Sequence, residues 1–338
     1  LCLLLKPPMA VFTPITSDEL REWLHPLNLG ELVEFKGIAS GIENTNFFVT
    51  LTDQGIQTDY VLTLFEVLTA EQLPFYLELM QHLAAKNIPV PRPYADANGQ
   101  LFRMLAGKPA CLVSKLNGTD TASPTPEHCA SVGRTLAQMH LAGRDFKIQQ
   151  PNLRGLDWWV MMENQVASFL PDKIAELLRD EVSAQQAFAQ TAVYQNLPSG
   201  AGHCDLFVDN VLFASPDEPA FIDFYFAGVD KFLFDLAVTV NDWCIDRETG
   251  ELLPEHFAAM MNAYHAINPL NDNDKAAWTM MLRAAALRFW ISRLFDFYRT
   301  RDAEMLTPKD PTHFERILQS RRALDAALTP WINTQNAS

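Results

Sequence analysis

The sequence predicts a two-lobed α+β protein. Its 338 residues, 48% hydrophobic, can bury more core than a single small domain needs, which favours a division into two lobes. β-branched and aromatic runs gather in the first third, and apolar stripes with a 3.6-residue period fill most of the remainder. Strands first and helices later, with one β-like insertion among the helices, is an α+β arrangement.

Taken in order, Leu1–Lys6 is apolar but too short for a signal segment, and Met9 comes soon after. Residues 1–8 therefore read as leader residues ahead of the first lobe. Leu32–Ile38, Asn46–Leu51 and Tyr60–Phe65 read as strands, and Asp53-Gln54-Gly55 supplies a turn that makes a hairpin of the last two. Leu73, Tyr76, Leu77, Met80, Leu83 and Ala84 form one helical stripe. Thr69 with Gln72 resembles a capping box at its start, and Pro74 equally marks a first turn. Ile88–Pro93 ends that helix and forces an extended path. Two more strands are expected near Gly99–Met104 and Ala110–Leu116. The turn-rich stretch Asn117–Pro126 reads as the connection between a first lobe, 9–116, and a second, 117–338. Beyond it Cys129, Val132, Leu136, Met139 and His140 share a helical face, and helices are expected over Pro254–Ile267, Asp274–Thr300 and Thr312–Ala327.

Bulk properties narrow the function classes. A net charge of −15 argues against general nucleic-acid binding. The five cysteines are dispersed, with no CxxC pair and no metal spacing, which favours reduced thiols in a cytoplasm. Ala276–Tyr298 is apolar, but Arg283, Arg288 and Arg293 interrupt it, so a buried helix is expected there and not a membrane span.

The chemistry concentrates in Gly202–Asn210 and Phe221–Phe224. Phosphoryl transfer from a nucleotide needs a carboxylate to orient and deprotonate a hydroxyl, and oxygen ligands to hold magnesium on the phosphates. Asp205 suits the first role, and Asn210 and Asp223 the second. Asp209-Asn210 would equally make a plain hairpin turn. His203 reads as a packing residue that fixes the loop. Asp223, inside an apolar run, would be costly to bury unless paired or metal-bound, with an N-cap or salt bridge as the alternative. Asp235, ahead of Leu236-Ala237, is expected to cap a helix and to tie down the loop. Between the first two strands, Gly37–Asn46 is rich in small residues whose N–H groups could lie over phosphates. With two glycines and no Walker lysine, a β-turn explains it as well.

Together these residues resemble the aminoglycoside phosphotransferase and choline kinase superfamily. The shared motifs are the HxDxxxxN box at His203–Asn210, Ile222-Asp223-Phe224, Asp235-Leu236-Ala237 and Leu136–His140. At a finer level Ser40–Phe47, Tyr60–Glu66, Leu73–Tyr76, Leu156–Trp159 and His203–Phe207 resemble the bacterial homoserine kinases. The resemblance implies a protein-kinase-like fold, with an antiparallel sheet and one helix in the first lobe and a mainly helical second lobe. It implies ATP and Mg2+ as cofactors, and transfer of the γ-phosphate to the hydroxyl of L-homoserine, in threonine biosynthesis. Asp205 would be the catalytic base, with Asn210 and Asp223 as metal ligands. Ser40, Gly41, Asn44 and Asn46 would lie over the nucleotide, against a connection near Val113–Leu116.

In one respect the sequence departs from the wider pattern. The third-strand lysine that grips the phosphates is replaced by Thr63. Lys36 is the candidate substitute cation, and Glu78 the candidate for the helix glutamate that would otherwise pair with the lysine. Asp157, Asp242 and Arg288 are candidates for holding the acceptor's charged groups. A small-molecule substrate is expected, with no nucleic acid and no membrane; the oligomeric state is not legible. Other hydroxyl acceptors, namely choline, ethanolamine, a sugar or an aminoglycoside, stay open, and Trp158, Trp159 and Trp243 leave an aromatic cage possible. A pseudokinase that binds nucleotide without turnover is the alternative from another class.

Overall fold

The computed structural model describes residues 13–38, 44–298 and 309–324. The expected leader at 1–8, together with Ser40 and Gly41, lies outside the described residues. The chain divides into two compact units, Leu1–Leu116 and Asn117–Ser338.

The first unit opens with α1 (Ser17–Leu24), capped by reciprocal bonds between Thr16 and Glu19. Five strands come next, interrupted by one helix: β1 (Glu31–Gly37), β2 (Asn44–Asp53), β3 (Ile56–Phe65), α2 (Leu73–Ala85), β4 (Arg103–Leu105) and β5 (Lys108–Ser114). They form one antiparallel sheet in the order β1-β2-β3-β5-β4. β2 and β3 pair in unbroken register from Asn44–Phe65 to Asp53–Ile56. Gln54 and Gly55, both at positive φ (49° and 83°), close this hairpin, a geometry whose twist suits the flanking strands.

Alternation then sorts the faces. Phe47, Val49, Leu51, Tyr60, Leu62 and Leu64 point into a core shared with Leu20, Trp23 and Leu24 of α1. Asn46 and Thr63, paired across the hairpin, occupy the opposite face. The expected capping bond between Thr69 and Gln72 exists, but it falls one turn early. Gln72 is itself the N-cap of α2 and makes no side-chain cap, with Pro74 in the first turn. The strand expected at Gly99–Met104 shrinks to β4, because Asp96 closes a tight turn onto Asn98 and Gln100.

The second unit is mainly helical: α3 (Pro126–Gly143), α4 (Leu156–Val166), α5 (Asp172–Ala189), α6 (Ala192–Gln195), α7 (Phe232–Trp243), α8 (Pro254–Ile267), α9 (Asp272–Tyr298) and α10 (Thr312–Ala323). Two small antiparallel ribbons lie between α6 and α7. One joins β6 (Ser199–Gly202) to β9 (Gly228–Lys231), and the other joins β7 (Val211–Phe213) to β8 (Pro219–Phe221). α3 lies along α8 closely enough that a Cβ at Gly133 would sit 2.5 Å from the Met260 carbonyl oxygen, so only glycine fits that crossing. α9 packs on α7 and α10. α10 is fastened by the buried Arg321, which donates to Asn241 Oδ1 (2.9 Å) and the Gly250 carbonyl (3.0 Å). Among the described residues no helix is long and apolar enough to cross a membrane. The apolar stretch at 276–298 lies in α9, buried from Ala277 to Leu294 at most positions and exposed at Asp296 and Phe297.

Candidate active site

The loop between β6 and β7 carries Asp205 and Asn210, and it is fixed by side chains that arrive from distant helices. Asp235, in the first turn of α7, turns its carboxylate onto this loop. Oδ2 accepts the His203 N–H at 2.7 Å and Oδ1 accepts the Cys204 N–H at 2.7 Å. The helix itself is capped at Lys231 without a side-chain bond, so of the two roles expected of Asp235 the loop anchoring is present and the capping is not. His140 of α3 supplies a third contact, Nε2 to Asp235 Oδ2 at 2.9 Å. Its Nδ1 lies 2.7 Å from the Tyr264 hydroxyl, which Asn268 also reaches at 3.0 Å.

Burial alone would raise the Asp235 carboxyl. The His140 hydrogen bond, the two imidazoles and the Cys204 N–H outweigh burial and hold it below the usual carboxylate range. Gly202 leaves room for this arrangement, since a Cβ there would stand 2.8 Å from Asp235 Oδ2. A second buried carboxylate, Asp242 at the end of α7, accepts the Val208 N–H at 2.8 Å. Burial raises this group, opposed by the nearby Arg247 and by the Val208 N–H.

Two residues here lie in the left-handed region, Cys204 (φ 60°), whose N–H Asp235 accepts, and Asp223 (φ 63°). Such conformations cost about 1–3 kcal/mol each and persist where the surroundings over-determine them. Cys204 is buried. Burial, with the Asp235 and Asp230 charges, pushes its thiol well up, so it stays protonated and is no nucleophile.

His203 joins the two halves of the site. Its Nε2 donates to the Ile222 carbonyl at 2.8 Å, and burial lowers the imidazole's pKa. The Ile222 N–H in turn donates to the Asn210 carbonyl at 3.0 Å. Asn210 Nδ2 donates to the Asp205 carbonyl at 2.8 Å and lies 3.4 Å from Asp205 Oδ2. The amide thus points its nitrogen toward Asp205 and turns Oδ1 away.

Asp223 comes directly after, at the exit of β8. It is exposed, contrary to the expectation of a costly buried carboxylate, because β8 ends at Phe221 and the chain reverses through Asp223 into a 3-10 turn. Among the described residues no group of three His, Cys, Asp or Glu could hold a metal. The donor set of Asn210 and Asp223 is instead oxygen-only and sparse, which fits a magnesium ion that takes its remaining ligands from phosphates and water.

In the first unit, Thr63 is buried and donates to Asn46 Oδ1 at 2.7 Å, so these two candidate positions satisfy each other. Lys36 registers with Phe48, which places it on the same sheet face as Asn46 and Thr63, exposed. Asn44 pairs with Phe65 at the end of that hairpin. Glu78 is exposed on α2. Among the described residues a glutamate that does meet a lysine is Glu66, 3.1 Å from Lys108 Nζ and bonded by Thr13 and Thr45, a pairing that sequence reasoning missed. Of the acceptor candidates, Asp242 is occupied with the loop, Asp157 is exposed on α4, and Arg288 is buried in α9.

Comparison with known proteins identifies the family and the fold. The profile of the phosphotransferase enzyme family matches residues 34–278. A homoserine kinase of Cupriavidus pinatubonensis is 54% identical over 330 residues, spanning 96% of this chain and the whole of that protein. One from Ralstonia nicotianae is 54% identical over 319 residues, 93% of this chain and 96% of its own length. Two solved structures share the fold at low identity. An amicoumacin kinase in complex with AMP-PNP and Ca2+ superposes with a TM-score of 0.67 at 15% identity, covering 91% of this chain and 92% of that one. A spectinomycin phosphotransferase in complex with ADP and spectinomycin gives 0.66 at 14% identity, covering 92% and 98%. With the loop, the carboxylates and the two-lobed architecture accounted for, the chain belongs to the phosphotransferase enzyme family.

Proposed function

We propose that the chain is an ATP-dependent homoserine kinase, moving the γ-phosphate of ATP to the hydroxyl of L-homoserine. The observation that carries the reaction class is the bonded circuit Asp205–Asn210–Ile222–His203, which sets a carboxylate, an amide oxygen and the exposed Asp223 on one short stretch of fixed backbone. Near full-length identity to curated homoserine kinases supports the acceptor.

In this reading Asp205 orients the acceptor hydroxyl and takes its proton as the new O–P bond forms and the bond to ADP breaks. The transition state is loose, so positioning matters more than basicity. Asn210 Oδ1 and the Asp223 carboxylate would hold Mg2+, which neutralises phosphate charge when bound. Asp235 and His203 touch no substrate; they keep the Asp205 backbone still. Ser40, Gly41, Asn44 and Asn46 remain the candidates for covering the nucleotide, and Lys36 is the candidate cation. Glu78 is the least supported of the set, since Thr63 offers it no charge to pair with.

A cationic acceptor such as choline is disfavoured by the tryptophans. Trp243 is buried and gives its indole N–H to the Leu206 carbonyl. Trp159 is buried and gives its indole N–H to the Arg154 carbonyl. Trp158 already faces two arginines. The test is coupled ADP release over a panel of homoserine, choline, ethanolamine, methylthioribose and kanamycin. Homoserine should dominate. Strong turnover with another acceptor would move the assignment within the family, and binding of nucleotide with no turnover would favour a pseudokinase.

A further inference from the structure

A mostly closed cavity of about 30 Å³ lies within the second unit, walled by β9 and by α4, α5, α6, α7 and α9. One water needs about 10–15 Å³ on this measure, so the cavity has room for about two water-sized groups. Trp159 and Phe234, ring centroids 6.1 Å apart, form an aromatic side. Three polar side chains also line it: Asp230, Gln185 and Tyr194.

Each of the three has an oxygen with capacity to spare. Asp230 Oδ2 accepts from Asn152 Nδ2 at 2.8 Å and Oδ1 accepts the Lys231 N–H at 2.7 Å, one bond on each oxygen where two can be accepted. Gln185 is 4% exposed, and its Nε2 donates to Glu181 Oε1 at 3.0 Å and to the Met280 carbonyl at 3.1 Å. Both amide protons are thereby used, which fixes the side chain and leaves Oε1 as its acceptor. Among the described residues no hydrogen bond reaches Gln185 Oε1 or the Tyr194 hydroxyl. Burial, with the Asp230 charge, pushes the Tyr194 phenol up to about 12, so it stays a neutral hydroxyl. Burial also raises the Asp230 carboxyl, and the Asn152 and Lys231 N–H bonds and the Lys231 charge do not offset it. Lys231 Nζ donates elsewhere, to the Leu197 carbonyl at 3.2 Å.

A carboxylate that burial disfavours, two more oxygen acceptors and an aromatic wall make a seat for one small cation. A primary ammonium is the size of a water and carries three N–H donors, one for each oxygen. A trimethylammonium carries none and exceeds the space. Asp157, in the first turn of α4, offsets the positive helix end that borders the cavity. Resting on the acceptor reading above, we infer that Asp230, Gln185 and Tyr194 hold the acceptor's primary ammonium. The ribbon register sets Asp230 opposite Gly200, two residues before Gly202, where the strand gives way to the catalytic loop. Two strand residues rise about 7 Å. The ammonium and hydroxyl of homoserine lie about 5 Å apart at full stretch, and a hydrogen bond at each end extends this to about 10 Å. Anchored at Asp230, the acceptor presents its hydroxyl to the loop that carries Asp205.

The full-length enzyme tests this with L-homoserine and (S)-2,4-dihydroxybutanoate, which has a hydroxyl in place of the ammonium. Binding of L-2-aminobutanoate, which keeps the ammonium and lacks the reacting hydroxyl, is measured by calorimetry. In Asp230→Asn the ratio of kcat/KM for homoserine to that for dihydroxybutanoate should fall about tenfold or more, mainly through KM. L-2-aminobutanoate should lose affinity by a similar factor. Tyr194→Phe removes one oxygen and keeps the ring, so it should move the same two readings several-fold even if Asp230→Asn fails to fold. Parallel losses for both acceptors, or unchanged affinity for L-2-aminobutanoate, would mean that the cavity holds only water and would overturn the pocket while homoserine turnover stands. Wild-type enzyme that turns over neither acceptor, yet binds L-2-aminobutanoate through Asp230, would overturn the kinase reading and leave the pocket standing.

Discussion

The catalytic loop of the second unit and the Asn46–Thr63 face of the first are held by different physics. The loop hangs from two buried carboxylates, Asp235 and Asp242, that accept three of its backbone N–H groups. The sheet face is held by strand register, with a neutral bond between Thr63 and Asn46. A buried charge that loses its partners is very costly, whereas a neutral hydrogen bond contributes little net. Charged anchoring is therefore concentrated on the loop that carries Asp205 and Asn210.

That contrast can be broken most directly at its centre. Asp205→Ala should lower kcat by several orders of magnitude in ADP release while circular dichroism and thermal midpoint hold; surviving activity would refute the catalytic-loop assignment. Next, the two anchors should respond differently. Asp235→Asn weakens a charge-assisted network and leaves His140 facing an amide, so urea unfolding should show a loss of about 3–5 kcal/mol. Asp242→Asn keeps an acceptor for the Val208 N–H and relieves a charge that burial disfavours, so its loss should not exceed about 0.5 kcal/mol. Equal losses would mean that the two carboxylates do the same job.

A smaller effect comes from pH. Burial lowers the His203 pKa, and His313 is lowered to about 4, first by burial and then by the charges of Arg293, Arg247 and Arg316. Unfolded imidazoles titrate near pH ~6.5. Below that value the unfolded chain binds more protons than the folded one, so stability falls as the pH drops through this window. His203→Gln can still donate to Ile222 and should flatten the slope of unfolding free energy between about pH 6.5 and 5. Comparing variant with parent cancels the opposing effect of Asp230 and Asp242, which burial raises. Identical slopes would show that His203 does not resist protonation. The smallest change belongs to the sheet: Thr63→Val should cost about 1 kcal/mol and leave kcat nearly untouched. A collapse of kcat would place Thr63 in the chemistry.

The candidate loop stood out because its signal is local: spacing within one stretch singles out Asp205, Asn210 and Asp223, and the structure brings Asn210 onto Asp205. Strand pairing in the first unit was legible from alternation and the Gln54-Gly55 turn. The support was harder to read in detail. Of the two roles expected of Asp235, the tie to the loop is present and the helix cap is not, because its carboxylate is taken up by the His203 and Cys204 N–H groups. α1 went unnoticed because only Leu20, Trp23 and Leu24 in it are apolar, and α5 because its apolar residues alternate with charged and amide side chains. Arg288 stood out as a charge in an apolar segment, but Arg154 did not, because the two rings they share, Trp158 and Phe226, come from separate places in the chain.

One fastening has a consequence for how the molecule is made. Arg321 locks α10 in place, and Phe314 of that helix stacks against Phe207 with ring centroids 5.9 Å apart. A chain leaving the ribosome exposes its catalytic loop long before this helix has been synthesised. This part of the loop's aromatic backing can form only once α10 has been made, so a nascent chain that stops short of it carries Asp205 and Asn210 without the Phe207–Phe314 packing.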